Sequence, residues 1–442
     1  MENFALFAAC VLTLISLFLF LVERRFFYLS LIVFYPFVGQ MIGSEIVVLG
    51  FTLNPSMLFG FMVLSLATLN MMLQPVRNPW LEAAVVIFVI YALLTAFFSP
   101  VRMRSISWVL KIATWLFILV SSTKLFEAES DLPPIHFAVC LAVVTVIVSF
   151  FLSWMGIYGQ RFTYETGVES YGAGFSSGKT LANYLAIAIP VLALKTSAAS
   201  HPSRLFSWFL ILLSLTVIVL TFVRSPVIAL LVGFAAYQFF RLRYGGRNVT
   251  RFFVVGIITV AVLAGLYFTL GQSRYLSRWT ELGEKYEQGQ IEKLGSGRVG
   301  GLIGFYQHYR YRATVFQQIF GSGIGSSYVY LGNKKYIHND FAEILMGCGV
   351  VGFALYLFIL WRVFALLLPL LRRGHPPGYR RLGALGMAAF FMVLALHMTN
   401  ITSGVIYLSV WAVFSGALIG IEQADRGKEA AGMQAVTERN GA

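Results

Sequence analysis

The sequence predicts an all-α polytopic membrane protein with about twelve transmembrane helices and one large polar loop. Of the 442 residues, 58% are hydrophobic and only 12% are charged, and the mean hydropathy is +0.77. Soluble domains carry about 25% charged residues, so these values exclude an ordinary soluble protein. The apolar residues form continuous runs instead of alternating with polar ones, which favours membrane helices over a β-barrel.

About thirteen apolar runs are candidate membrane spans. The run over 26–49 is interrupted by Pro36 and Glu45, so we favour about twelve helices over thirteen. The order of the runs divides the chain into four regions. We expect an N-terminal transmembrane helix bundle over residues 1–271, a large polar loop over 272–340, C-terminal transmembrane helices over 341–421 and a disordered tail over 422–442.

Lysine and arginine predict the orientation, because cytoplasmic loops carry an excess of both. Basic turns fall at 195–204, 241–251 and 372–381. We expect these turns and the C-terminal tail on the cytoplasmic side. Alternation of the helices then places the most unusual polar segments together on the opposite face, namely 158–179, 224–226 and 272–340.

The formal net charge of +14 bears on which kinds of molecule the protein is expected to bind. Part of it is the cytoplasmic excess of Lys and Arg, and it equally suits anionic lipid head groups or a diphosphate. No basic helix with interleaved aromatic residues follows outside the apolar runs, which argues against nucleic acid. Cys10, Cys140 and Cys348 lie in apolar segments and the histidines lack metal-ligand spacing, so we expect neither a disulfide framework nor a metal site.

Residues 173–180 loosely match a nucleotide-binding phosphate loop. Such a loop needs a preceding β-strand and a following soluble helix, whereas here a polar loop precedes it and a membrane helix follows. We therefore reject nucleotide binding. Backbone N–H groups at the helix start, together with Lys179, can still hold a phosphate. Alternatively, Lys179 only marks the helix end at the lipid head groups.

His338 is the sharpest candidate for chemistry, because it lies where the long polar stretch re-enters the membrane. Histidine accepts a proton near neutral pH and can act as a general base. Tyr336 and Asn339, which flank it, are expected to contact the substrate. The alternative is a purely structural histidine.

Three arginines on the predicted outer face form a second candidate set, namely Arg161, Arg224 and Arg298. An arginine near a membrane end is costly unless it faces a cavity or an anion, and its guanidinium forks bind phosphate strongly. The alternatives are snorkelling to the interface for Arg224 and a solvated loop charge for the other two. In the stretch 321–325, Gly323 and its neighbouring glycines permit close approach to a ligand, or simply form a flexible linker. The glycines at 347, 349 and 352 favour close helix packing.

Together these residues resemble the O-antigen ligase and polymerase superfamily of bacterial envelope proteins over about residues 160–360. The matching motifs are Arg224-Ser225 after a membrane helix, Ser296-Gly297-Arg298 in the large loop, the glycines at 321, 323 and 325, and His338-Asn339 before a leucine-rich helix with paired glycines. Two positions depart from the family pattern. Leu302 replaces the usual tryptophan, and the proline usual before the glycine stretch is missing.

The resemblance implies a GT-C-like glycosyltransferase of the bacterial inner membrane, with 272–340 as a periplasmic loop that carries catalytic elements. It implies transfer of a polysaccharide from undecaprenyl diphosphate to the lipid A–core, with inversion and without metal or cofactor, by a monomer among membrane lipids. His338 is then the expected base, with Arg224 and Arg298 holding the diphosphate. The expected substrate-binding residues are Arg161, Lys179, Gly323, Tyr336 and Asn339.

Other functions fit parts of the same pattern. A polymerase or a protein O-oligosaccharyltransferase differs only in the acceptor, which the sequence does not specify. A transporter or flippase for the same lipid should carry polar groups at the membrane midplane, and Lys111 inside an apolar run keeps that hypothesis open. A non-catalytic scaffold would tolerate the loss of His338.

Overall fold

The chain is described here by a computed structural model that covers most of its length. The described residues are 2–39, 46–48, 51–53, 55–157, 161–163, 169–171, 178–197, 201–221, 223–245, 298–331, 337, 339–372, 375–399 and 405–441. These residues are mainly helical, as predicted. Two short antiparallel ribbons depart from a purely helical fold: β1 (Ile46–Val48) pairs with β2 (Phe51–Leu53), and β3 (Arg161–Thr163) pairs with β4 (Glu169–Tyr171).

The helices of the described chain, in order, are α1 (Glu2–Val22), α2 (Arg24–Gly39), α3 (Pro55–Leu73), α4 (Pro79–Phe97), α5 (Arg102–Leu125), α6 (Leu132–Trp154), α7 (Gly178–Leu192), α8 (His201–Leu220), α9 (Arg224–Gly245), α10 (Arg298–Tyr311), α11 (Val315–Phe320), α12 (Ser327–Tyr330), α13 (Asp340–Leu367), α14 (Pro377–Thr399) and α15 (Val405–Gly441). Their starts follow local rules. Proline occupies the first turn of α4 and α6, where no intrahelical N–H is lost, and Thr314 with Gln317 forms a reciprocal capping box at α11.

Eight helices of the described chain are long and apolar enough to cross a membrane: α4, α5, α6, α8, α9, α13, α14 and α15. Shorter apolar helical stretches occur at Cys10–Val22 and Phe59–Leu73. By the length and composition of these helices, the predicted polytopic membrane protein is confirmed. The count of about twelve spans stays a prediction, and the apolar run at 252–271 lies outside the described residues.

Small residues allow the central helices to approach closely. A Cβ atom at Gly420 of α15 would lie 2.2 Å from the carbonyl oxygen of Phe126, just after α5, and one at Gly416 would lie 2.5 Å from the Cβ of Ser122. On α9, a Cβ at Gly233 would overlap the side chain of Met392 on α14 at 2.2 Å. Close backbone approach through glycine is typical of helix pairs in membranes.

Charged residues gather at one end of the bundle, which we call the basic end. Arg380 donates to the carbonyl oxygen of Tyr244 at 2.7 Å, and Arg381 donates to that of Ala193 at 2.5 Å. These bonds join the start of α14 to the end of α9 and to the residues after α7. The three basic turns, which the sequence predicts on one side of the membrane, therefore lie at the same end of the helix bundle.

Ion pairs reinforce the basic end. Lys124 lies 2.7 Å from Glu82 in an almost fully buried pair, and Arg25 lies 2.9 Å from Asp131. Lys124 also donates to the carbonyl oxygen of Met71 at 3.0 Å, which joins α3, α4 and α5. The buried ammonium is thereby compensated by charge and by hydrogen bonds, as a buried ion requires.

The C-terminal tail differs from the prediction. Residues 422–442 were expected to be disordered, whereas α15 continues as helix to Gly441. The physical reason is that the polar part of the tail is rich in good helix formers and extends a helix that is already packed. Arg426 also bonds Glu422 one turn earlier at 2.7 Å.

Candidate functional site

The glycine stretch 321–325 forms a tight joint with the start of α13 at the end of the bundle opposite the basic end. Gly321, Gly323 and Gly325 all have φ near +90°, between +87° and +89°. The N–H of Gly323 donates to the carbonyl oxygen of Gly347 at 2.8 Å. Gly349 interrupts the regular geometry of α13 with φ 62° and ψ −172°. We call this end of the bundle the glycine end.

Steric space explains the glycines of this joint. A Cβ at Gly321 would lie 2.2 Å from the carbonyl oxygen of Gly347, and one at Gly347 would lie 2.5 Å from the Cα of Ile324. A Cβ at Gly323 would lie 2.3 Å from the Cβ of Ser99, in the turn between α4 and α5. Gly323 therefore has a packing contact, and its expected contact with substrate stays a prediction. The close packing expected near Gly347 is present.

The side chains of Tyr91 and Glu343 connect the two sides of the joint through hydrogen bonds. The Tyr91 hydroxyl lies 2.9 Å from the carbonyl oxygen of Phe320 and 3.1 Å from that of Cys348, so it bridges both sides. The buried Glu343 accepts the N–H of Gly325 through Oε1 at 2.7 Å. A buried carboxylate is tolerated where such donors replace water. The glycine stretch is thus a packed element, which differs from a flexible linker.

Asn339 fixes the start of α13, immediately after the predicted base. Its Oδ1 accepts the N–H of Ala342 at 3.0 Å as a helix N-cap, and its Nδ2 donates to the carbonyl oxygen of Met398 at 3.1 Å. These bonds hold the first turn of α13 against the last turn of α14. The predicted residues His338 and Tyr336 lie outside the described residues, and the residue between them, Ile337, is buried.

A buried polar chain next to Asn339 was missed by the sequence reasoning. Asp340 Oδ2 lies 2.6 Å from His397 Nδ1, and His397 Nε2 lies 3.1 Å from the Tyr356 hydroxyl. All three side chains are buried, and the rings of Trp115 and Phe341 pack around the imidazole. The carboxylate orients the imidazole and ties α13 to α14. The only sequence signal was a histidine near the end of an otherwise apolar helix.

Arg224 begins α9 at the glycine end. Because α9 and α14 run antiparallel and meet at Gly233 and Met392, their levels can be compared. Nine residues of helix separate Gly233 from Arg224, about 13.5 Å, and six separate Met392 from Met398, about 9 Å, at roughly 1.5 Å per residue. Arg224 therefore lies about one turn beyond the level of Met398, the residue that Asn339 contacts.

The other predicted cations also fall where elements begin. Lys179 is the second residue of α7 and is half-buried, Arg161 begins β3, and Arg298 begins α10. The side chains of Arg161 and Arg298 lie outside the described residues. On α10, however, Phe305 packs against a small cluster that contains Ile337. The helix that Arg298 begins is thus adjacent to the start of α13.

A polar cleft of about 430 Å³ opens beside α10 and α12. The ring of His308 stacks on Tyr330 with 4.4 Å between ring centroids and an angle of 23°. Burial, and secondarily the charge of Arg312, lower the pKa of His308, so its imidazole is neutral at pH 7. No motif around His308 in the sequence predicted this cleft. Its walls offer aromatic faces and polar groups at the glycine end.

The part of the chain with described side chains contains no group of three or more His, Cys, Asp or Glu placed to hold a metal ion. The expectation of a metal-independent reaction stays a prediction. No protein-family model matches this chain, and no curated protein matches it. Membership of the O-antigen ligase and polymerase superfamily therefore remains an expectation that the motifs support.

Proposed function

We propose that this chain is a GT-C-like glycosyltransferase of the O-antigen ligase type, with about twelve transmembrane helices. It transfers a polysaccharide from undecaprenyl diphosphate to the lipid A–core on the periplasmic face of the bacterial inner membrane. One observation carries the proposal. The start of α9 with Arg224, the start of α13 with Asn339, and α10 through Phe305 all lie at the same end of the bundle, opposite the basic end.

This location suits the substrates. Both donor and acceptor are amphipathic lipids, so a site at a membrane surface receives them from the bilayer while their sugars stay in water. Cationic and N–H groups at helix starts favour a diphosphate at that level. The basic end, by the excess of Lys and Arg, is the proposed cytoplasmic side, which makes the glycine end the periplasmic side.

The proposed reaction is a single displacement. His338 takes the proton from the acceptor hydroxyl, whose oxygen attacks the anomeric carbon while the bond to the diphosphate oxygen breaks, which inverts that carbon. Arg224 and Arg298 offset the charge that develops on the leaving diphosphate. A positioned base contributes about 10²–10⁴-fold in rate, and loss of one charge-stabilising donor costs about 2.7–4 kcal/mol of barrier. Asn339 holds the start of α13 through its hydrogen bonds with the backbone of Ala342 and Met398, and its proposed role is to support the adjacent base.

The test is transfer by the full-length protein in proteoliposomes. A diphosphate-linked glycan and lipid A–core are supplied without added metal or nucleotide, and the product is measured on gels. His338→Ala is expected to abolish transfer while donor binding persists. The matched control is His201→Ala, because His201 is an exposed histidine at the basic end. Equal turnover by both variants would remove His338 from the mechanism.

The arginine is tested within one helix. Arg224→Ala, at the glycine end of α9, is expected to reduce transfer by about 10²–10³-fold. Arg243→Ala, at the basic end of the same helix, is expected to leave transfer unchanged. Arg224→Lys should rescue only partly, because an ammonium lacks the two-pronged guanidinium geometry. Full rescue by lysine would show that charge alone matters at this position.

Acceptor competition separates the related functions. Lipid A–core, a second molecule of the diphosphate-linked glycan and a serine-containing peptide are offered in parallel. Product on lipid A–core supports the ligase, product on the glycan supports a polymerase, and product on the peptide supports a protein transferase. Movement of the donor across the membrane without any transfer would support the transporter hypothesis.

A further inference from the structure

Two clefts at the basic end share one wall. The first has a volume of about 260 Å³ and lies among the residues before α6, the residues after α7 and the start of α14. The second has a volume of about 400 Å³ and lies between α6 and α8. Pro133, His136 and Lys195 line both clefts. The two clefts therefore adjoin, and together we call them the groove.

The first cleft is positively charged. Lys195 and Arg381 line it, against one carboxylate, that of Glu129. Arg381 is held in place by its bond to the carbonyl oxygen of Ala193, the residue two positions before Lys195. This bond holds the side chain of Arg381 close to the backbone segment that carries Lys195. With Glu129 as the one carboxylate in the lining, the two cations give the first cleft a net positive charge.

The second cleft is almost purely apolar. Phe137, Leu141 and Val144 form one side on consecutive turns of α6, and Phe206 forms the other side on α8. All four side chains are exposed on the outside of the helix bundle. Both helices belong to the set that is able to cross a membrane. An apolar slot of this kind on an exposed face of apolar helices suits a hydrocarbon chain, while His136, Lys195 and Ser203 are the polar residues in its lining.

We propose that this groove binds an anionic phospholipid of the leaflet at the basic end. The phosphate lies in the first cleft near Lys195 and Arg381, and one acyl chain extends along the second cleft between α6 and α8. The order of charges and apolar walls matches a lipid entering from the membrane surface, and basic pockets between membrane helices are suited to anionic head groups. The site is separate from the proposed catalytic site at the opposite end.

Binding is measured by native mass spectrometry on the delipidated full-length protein in detergent. Phosphatidylglycerol, phosphatidylcholine and glycerol phosphate without acyl chains are titrated separately. We expect phosphatidylglycerol to bind at least fivefold more tightly than phosphatidylcholine, since one Lys or Arg near an anionic surface is worth roughly that factor. Glycerol phosphate alone is expected to bind far more weakly than either lipid.

Three variants locate the site. Lys195→Ala should weaken phosphatidylglycerol about fivefold and phosphatidylcholine by less, because the choline ammonium offsets the charge of its phosphate. Val144→Trp fills the second cleft without changing charge, so it should weaken both lipids alike. Arg243→Ala removes a charge from the same end but outside the groove, and it should change neither.

Three results would overturn the proposal. One is equal binding of the two lipids to the wild-type protein. Another is an identical loss in Lys195→Ala and Arg243→Ala, which reports general surface charge. The third is tight binding of glycerol phosphate alone, which assigns the first cleft to a free phosphate compound. Size-exclusion profiles matched to the wild type establish that each variant is folded before its lipid binding is compared.

Discussion

An alanine at Gly349 tests whether the joint at the glycine end requires its backbone geometry. Gly349 has φ 62° and ψ −172°, a conformation that only glycine adopts without strain. A Cβ there would lie 2.3 Å from the carbonyl oxygen of Ile319 and 2.6 Å from the backbone nitrogen of Gly321. Favourable carbon contacts occur at about 3.5–4.0 Å, so backbone on one side of the joint must move.

The magnitude follows from two terms. Holding alanine in this conformation costs on the order of 1–3 kcal/mol, and overpacking against backbone costs about 1–3 kcal/mol more. We therefore expect Gly349→Ala to lower the free energy of unfolding by about 2–6 kcal/mol. Because the substitution separates residues 321–325 from α13, we also expect faster amide exchange across that stretch.

Both quantities are measurable on purified protein. Unfolding is followed by titration with a denaturing detergent, and local opening by hydrogen exchange with mass spectrometry. The control is Gly60→Ala on α3, where an added Cβ would meet no atom within 4 Å. In a helix interior this change should stabilise by about 0.5–1 kcal/mol. If Gly349→Ala matches Gly60→Ala in stability and exchange, the requirement for glycine in this joint is refuted.

Three further substitutions test polar contacts between helices. Lys124→Met leaves the Glu82 carboxylate buried without its ion-pair partner and should destabilise by about 3–5 kcal/mol, and a second change, Glu82→Leu, should recover part of that loss in the same detergent titration. His397→Phe should cost about 3–5 kcal/mol, and a double-mutant cycle with Asp340→Leu should give a strongly non-additive result, whereas simple additivity would contradict their pairing. Tyr91→Phe removes the hydroxyl that bridges two backbone carbonyl groups and should cost about 0.5–1.5 kcal/mol, with no change in the far-ultraviolet circular dichroism spectrum.

Several elements of the site could be predicted from local sequence. The polar residues before a long apolar run predict the start of α13, and the helix does begin there; that Asn339 is its N-cap was not predicted. Arg224 between two apolar runs predicts a helix start at a membrane end, which is where α9 begins. Gly347 was expected to serve close packing, and it does. Each of these features depends on a few neighbouring residues and on their contact with water or lipid.

Other elements depended on contacts between distant residues. The partner of the glycine stretch is the kinked part of α13, and the polar chain from Asp340 to His397 joins residues 57 positions apart. Neither pairing leaves a periodic signal in the sequence. The helical tail from 422 onwards also differs from the prediction, because its composition alone does not include the packed helix that it extends.

By itself, the sequence determined that this chain is a polytopic membrane protein, that apolar runs of the described chain are helices, and that the three basic turns share one end. These properties follow from the transfer of each segment between water and hydrocarbon and from the positions of Lys and Arg, so they need no knowledge of neighbours. Only the tertiary structure decided which buried groups compensate one another and where grooves remain between helices. Those outcomes follow from close packing, which depends on the shapes of two distant segments at once.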